Sequence, residues 1–250
     1  MSLIAFSDET LRKHLEDVAK EISTRFLPKR AELVVRLLKP SDVNLESARC
    51  AMLCTGIFHD VGKAYEPFQE MLRKEGIAPR HEIFSVYFSD KVLNKKKGDL
   101  RTIVLLAIAW HHSATRGVIL ERIRGTTSKY LKVDSVRLNG HSREMLSEIL
   151  RDLLSKFGCE EEADLSEIPE VITVDDAGNL LDELGRCIRK EESGSYRIYP
   201  AVLPLLTALQ IADAKVASEN RKEGIPPVHL RDITNSNAKG RVARILMGLQ

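Results

Sequence analysis

The chain has 250 residues, 43% hydrophobic and 30% charged. A chain of this length buries roughly 70 to 75% of its unfolded surface in a core, so intrinsic disorder and fibrous repeats are excluded. The net charge of +2 gives no global basic field, so any grip on nucleic acid must come from local arrangement of charge. The four cysteines (Cys50, Cys54, Cys159 and Cys187) are too few for a disulfide scaffold and include no C-x-x-C pair, which predicts a reducing, cytoplasmic setting. Met1 to Lys13 reaches charges before any run of signal-peptide length. No segment is expected to reach the ~20 apolar residues of a membrane span. The longest uncharged run, Ile103 to Trp110, suits a buried helix.

Leu11, Leu15, Val18, Ala19 and Ile22 recur at helical spacing behind Ser7 and Asp8, which can cap a helix start. They predict an amphipathic helix over residues 8–27 that ends before Pro28. A second helix is expected over residues 30–38, closed by Pro40. Residues 44–59 begin with an Asn cap and turn almost wholly apolar, marking a central helix with His59 and Asp60 at its C-terminal end. In this stretch Cys50 and Cys54 lie one turn apart and read as small buried hydrophobes. Helical patterns follow over residues 66–75, 81–94, 99–112, 142–157, 177–190 and 201–220. Residues 115–140 hold three glycines and one extended piece, Tyr130 to Leu138, and read as an insertion. The acidic residues 158–176 read as a second, solvated excursion. The expectation is one all-α domain over residues 1–250, with a core at 8–112 and 141–220, irregular insertions at 115–140 and 158–176, and room for a short β-hairpin.

Five of the seven histidines fall on these apolar patterns: His14, His59, His81, His111 and His112. Buried imidazoles without a cation would each have to stay neutral and find an acceptor, whereas a divalent ion satisfies their lone pairs directly. Asp60 follows His59, and Asp213 interrupts another apolar stretch, where an unpaired carboxylate is costly. Lys63 lies three residues beyond Asp60 and can face the same pocket. A capped helix end with a satisfied histidine, and a solvated Lys63, are the bland readings of the same residues.

The order of these residues resembles the HD superfamily of metal-dependent phosphohydrolases. The wording LRKHLEDVAK, HDVGKAYEPFQ, HEIFS, WHHS and ADAKVAS, spread from Leu11 to Ser218, is similar within it to the HD nuclease of Type I CRISPR systems. An HD dipeptide alone is common; five motifs in this order with a double histidine are far more specific. The resemblance implies an HD-domain helical bundle holding two divalent ions, drawn from Mn, Mg, Ni, Fe or Co, with Zn also within reach of the ligand set. One ion would lie on His14, His59, Asp60 and Asp213, the other on Asp60, His81, His111 and His112, with Asp60 bridging. A bridge is physically reasonable because one carboxylate has two oxygens for ions ~3.5 to 4 Å apart. The implied reaction is hydrolytic P–O cleavage by activated water without a protein nucleophile, with Lys63 contacting the phosphate or assisting the leaving oxygen.

The implied substrate is single-stranded DNA, with RNA or R-loop strands as further options, during antiviral defence. The implied partners are a separate CRISPR helicase and a target-bound interference complex, because Ile57 and Ala64 flank Gly62-Lys63 where a phosphate-binding P-loop would need other residues. Arg116, Arg122, Arg124, Lys129 and Lys132, directly after the double histidine, are candidate backbone contacts for nucleic acid. Lys95 to Lys97, Lys239, Arg241 and Arg244 read more simply as solvated charge, and His141 and His229 as surface. Trp110 reads as a core anchor under the double histidine. Two other readings compete: an HD phosphohydrolase of nucleotides or cyclic nucleotides, and a metal-free helical adaptor.

Overall fold

A computed structural model describes residues 2–38, 43–93, 98–112, 133–191 and 198–220, apart from the side chains of 28 and 188–191. The first nine helices and strands are β1 (Ile4–Phe6), β2 (Glu9–Thr10), α1 (Leu11–Glu21), α2 (Leu27–Leu37), α3 (Leu45–Phe58), α4 (Glu66–Glu75), α5 (His81–Val92), α6 (Gly98–Trp110) and β3 (Ser135–Arg137). They are followed by α7 (Gly140–Phe157), β4 (Val171–Thr173), α8 (Val174–Glu191) and α9 (Ile198–Asn220). The fold is all-α with two small antiparallel ladders, β1–β2 and β3–β4.

The first departure from the sequence reading is at the N-terminus. Ser7 and Asp8 form the turn of a short β1–β2 hairpin, and Thr10 caps α1 by accepting the Lys13 N–H on its side-chain oxygen. Helix formation also does not stop before Pro28. A π-helical turn, Ile22–Phe26, joins α1 to α2, with the Leu27 N–H reaching back to the Ile22 carbonyl. Pro28 thereby falls in the first turn of α2, where a missing N–H costs nothing. The wide turn lies where α1 meets α3: a Cβ added to Gly56 would sit 2.8 Å from the end of Ile22 and 3.3 Å from the Ala19 backbone.

Every residue of α3 from Cys50 to Phe58 is buried, as is α6 from Ile103 to Ala109. Asn44 caps α3, accepting from the Ser47 N–H at 2.8 Å. Helices α1, α2, α6 and α9 surround α3, and α5 closes on α6. Arg101 of α6 bonds the Asp90 carboxylate of α5, a charged clasp at that contact. Cys50, Cys54 and Cys159 are buried as small apolar groups.

The two excursions meet each other. Ser135–Arg137 pairs in register with Val171–Thr173, so the strand pair joins segments far apart in sequence and is no hairpin. The second excursion is only partly solvated: Cys159, Ile168 and Ile172 are buried, and the Asp164 N–H reaches the Val92 carbonyl. Trp110 is half-buried and meets Tyr199 edge-on, at 6.0 Å between centroids. Helix α9, at 23 residues, is long and apolar enough to cross a membrane by length and composition, against the expectation that no segment would be. Its apolarity has another partner, since 56% of the apolar window is buried, packed on α6, α2 and α1.

Candidate metal centre

Helix ends converge on one point. His59 is the C-cap of α3, His81 opens α5, His111 and His112 follow the last residue of α6, and His14 is the fourth residue of α1. Asp213 comes from α9. Helices α3 and α6 therefore aim their negative dipole ends inward, and neither has a basic residue in its last turn. A cation is the natural complement to both.

Asp60 is the pivot. It sits at φ −114° and ψ 7°, between the end of α3 and a 3₁₀ turn over Val61–Ala64. One carboxylate oxygen, Oδ2, lies 3.1 Å from His14 Nε2 and 3.6 Å from His59 Nε2. The other, Oδ1, lies 2.6 Å from His81 Nε2 and 3.7 Å from His111 Nε2. His112 Nε2 is 3.4 Å from His81 Nε2. Asp213 Oδ1 is 3.3 Å from His14 Nε2 and 3.9 Å from His59 Nε2. Two groups could each hold an ion, His14-His59-Asp60 and Asp60-His81-His111-His112, and Asp60 is common to both. Lys63 Nζ lies 2.5 Å from Asp60 Oδ2.

The far nitrogens of three rings are fixed by backbone carbonyls three residues back. His59 Nδ1 meets the Gly56 carbonyl at 2.8 Å, His81 Nδ1 the Ala78 carbonyl at 2.5 Å, and His111 Nδ1 the Ile108 carbonyl at 2.6 Å. Each Nδ1 then carries the proton and each Nε2 presents a lone pair to the centre. Among the described residues, the buried Nε2 atoms of His14, His59 and His111 have no hydrogen-bond partner. Orphaned inward nitrogens beside two carboxylates are the donor set of a divalent transition-metal site.

The electrostatics agree. Burial pushes Asp60 upward, but Lys63, His59, His81 and His111 hold its carboxyl well below the usual range. Burial likewise opposes the charge of Asp213, and His14 and His59 hold it well below that range. Burial lowers His59, and burial with His111 and His81 nearby lowers His112 strongly, which favours the neutral form of both rings. Burial disfavours a charged His14, yet contacts with Asp213, Asp60 and Glu9 raise it well above normal. Burial also opposes a charged His111, and Asp60 raises it.

All seven side chains singled out for metal, and Lys63, thus meet in one place. Arg116, Arg122, Arg124, Lys129 and Lys132 lie outside the described residues, as do Lys95 to Lys97, His229, Lys239, Arg241 and Arg244. His141 is exposed. Four supporting residues carry no role in the sequence reading. Glu9 is buried with Oε2 3.3 Å from His14 Nδ1. Gln69 accepts the Ile4 N–H and donates to the Ile4 and Lys63 carbonyls, tying β1 to the turn behind Asp60. Gly62 donates to the Ser85 hydroxyl at 2.9 Å, and a Cβ there would fall 2.3 Å from the His81 carbonyl. Gln69, Gly62 and Ser85 stand inside the HDVGKAYEPFQ and HEIFS motifs; Glu9 has no such signal, because only the bend from β2 into α1 brings it to His14.

The family profile described as Cas3, HD domain matches residues 8–180. The chain belongs to the Cas3 HD domain family. Among members of that family, it is 26% identical over 167 residues to the CRISPR-associated endonuclease Cas3-HD of Methanocaldococcus jannaschii. That match covers 63% of this chain and 66% of the relative, just under two thirds of its length. The solved structure of the CRISPR-associated Cas3 HD domain protein from the same organism superposes with a TM-score of 0.51, at 19% identity, over 85% of this chain and 99% of that one. The Cas3 HD fold is therefore the fold of this chain.

Proposed function

We propose that this chain is a single-domain, divalent-metal-dependent nuclease that hydrolyses phosphodiester bonds of single-stranded DNA in CRISPR interference, in the cytoplasm beside a separate helicase. The observation that carries the reading is the Asp60 carboxylate, whose two oxygens face two different sets of imidazoles, Oδ2 toward His14 and His59, Oδ1 toward His81 and His111. In the proposed centre His14, His59, Asp60 and Asp213 hold one ion, and Asp60, His81, His111 and His112 hold the other. Two divalent ions (Mn, Mg, Ni, Fe or Co) supply acidified water and charge stabilisation at phosphorus when bound.

The protein supplies the rest. Imidazoles in place of carboxylates leave the loaded centre positive, which attracts a phosphodiester. Lys63, 12% exposed at its side chain, holds its ammonium beside Asp60 and is proposed to contact a phosphoryl oxygen or give a proton to the leaving oxygen. No nucleophilic side chain is needed. Arg116, Arg122, Arg124, Lys129 and Lys132 are proposed to hold the strand by its backbone. The name of the relative, an endonuclease, supports the polymer substrate.

The test is cleavage of single-stranded DNA, duplex DNA, RNA, mononucleotides and cyclic nucleotides across Mn, Mg, Ni, Fe and Co. Degradation of single strands with inert nucleotides is the expected result. Nucleotide turnover with intact polymer would instead assign a small-molecule phosphohydrolase, and absence of turnover and of bound metal would leave a helical adaptor.

A further inference from the structure

His14 is held differently from the other rings. His59, His81 and His111 each turn Nδ1 to a backbone carbonyl three residues back. Those carbonyls lie at helix ends or in a turn, and among the described residues only that of Ile108 also takes a backbone N–H, that of His111 at 3.5 Å. His14 is inside α1, where the nearby carbonyls of Thr10 and Leu11 accept helical N–H groups. Its Nδ1 has to look outside the helix. The group it meets is the Glu9 carboxylate, 6% exposed, with Oε2 3.3 Å away and off the line of a regular hydrogen bond. Glu9 is itself held, since its Oε1 accepts from Asn220 Nδ2 at 2.5 Å. Asn220 ends α9, the helix that carries Asp213, and its Oδ1 accepts from Lys13 Nζ at 2.8 Å.

We infer that Glu9 is a positioning residue for the ion on His14, His59, Asp60 and Asp213, acting through His14 Nδ1 and steadied by Asn220. A carboxylate on the outer nitrogen fixes the ring's tautomer and direction and makes its inner nitrogen a better donor, and loss of such a partner typically costs about 10–100-fold in metal affinity. The second ion has backbone carbonyls in that role on His81 and His111, and none of its ligands meets Glu9. The two ions should therefore respond differently to one substitution. Asn220 links β2 to α9, so the same contact fixes the approach of His14 to Asp213.

This inference rests on the two-ion reading, and titration of the metal-free protein with Co(II) separates the two. Visible absorption and calorimetry report binding, with circular dichroism and thermal melts as folding controls. The parent protein should take up two equivalents. Glu9→Ala should weaken one equivalent about 10–100-fold and alter its cobalt spectrum, leaving the other unchanged. Glu9→Gln, which keeps an acceptor, should restore most of that affinity, and Asn220→Ala should shift the same equivalent by a smaller factor. A folded Glu9→Ala that binds both equivalents as the parent does overturns the role of Glu9. If Glu9→Ala does not fold, parental binding and spectra in both Glu9→Gln and Asn220→Ala overturn that role equally. A parent that binds no cobalt overturns the metal centre itself, and this inference with it.

Discussion

At the scale of single residues, Asp60 and Lys63 divide the work. Asp60 is buried, contacts rings from α1, α3, α5 and α6, and has no substitute among the surrounding imidazoles for its two oxygens. Asp60→Ala should abolish binding of both ions and lower turnover by at least about 10³-fold, checked by metal analysis beside the cleavage assay. Lys63→Ala removes only the ammonium on Asp60 Oδ2, so it should keep two equivalents of metal and slow cleavage about 10²-fold. Equal loss of metal in both variants would show Lys63 to be part of the cage. These residues are legible in sequence because histidine and aspartate stand out against apolar helices. Glu9 is not, since its distance from His14 depends on a chain bend that no periodicity reports.

Between elements, the contact that sets the site is the approach of the 3₁₀ turn Val61–Ala64 to α5. Gly62 lies against the His81 carbonyl and the Ser85 backbone, which cannot yield as a flexible side chain can. Gly62→Ala should destabilise by about 1–3 kcal/mol, a fall of roughly 2–12 °C in Tm, and should push His81 away from Asp60. A thermal melt and a cobalt titration check both, and an unchanged second equivalent would contradict the packing argument. The helices themselves are legible from apolar spacing. The π turn is not, because Pro28 looks like a stop until the wide turn places it at the start of α2. The β3–β4 pair is equally hidden, being set by contact between distant segments. A surface contact ties α1 to α9: Lys215, with Arg25, keeps the Glu21 carboxyl below its ordinary value. A lowered carboxyl pKa stabilises the fold above its unfolded value near 4.5, and the contribution disappears as pH falls through the lowered value. Lys215→Ala should then melt slightly below the parent at pH 7, and the gap should close as pH falls below the lowered Glu21 value; a gap that persists in strong acid would assign the effect to packing.

For the whole molecule, the notable feature is a core organised around charge. The first turn of α1, the C-terminal ends of α3 and α6 and the start of α5, with the inward face of α9, bring five imidazoles and two carboxylates to one point, and three of the inward nitrogens have no partner among the described residues, a costly arrangement without a cation. An ion that binds the folded chain and not the unfolded one stabilises by mass action, about 2.7 kcal/mol at a hundred times its dissociation constant. At this chain length each kcal/mol moves the midpoint by roughly 2–4 °C, so each saturated site should raise Tm by roughly 5–11 °C. Manganese added to chelator-treated protein should produce that rise, and EDTA should reverse it. Asp60→Ala should show no rise, which separates the buried centre from cations gathered loosely by surface carboxylates. Because α1, α3, α5, α6 and α9 all end at or pass the same point, the gain should appear as one cooperative shift of the whole melting curve. A rise confined to an early, partial transition would mean that the ions bind a local feature and that the core holds together without them.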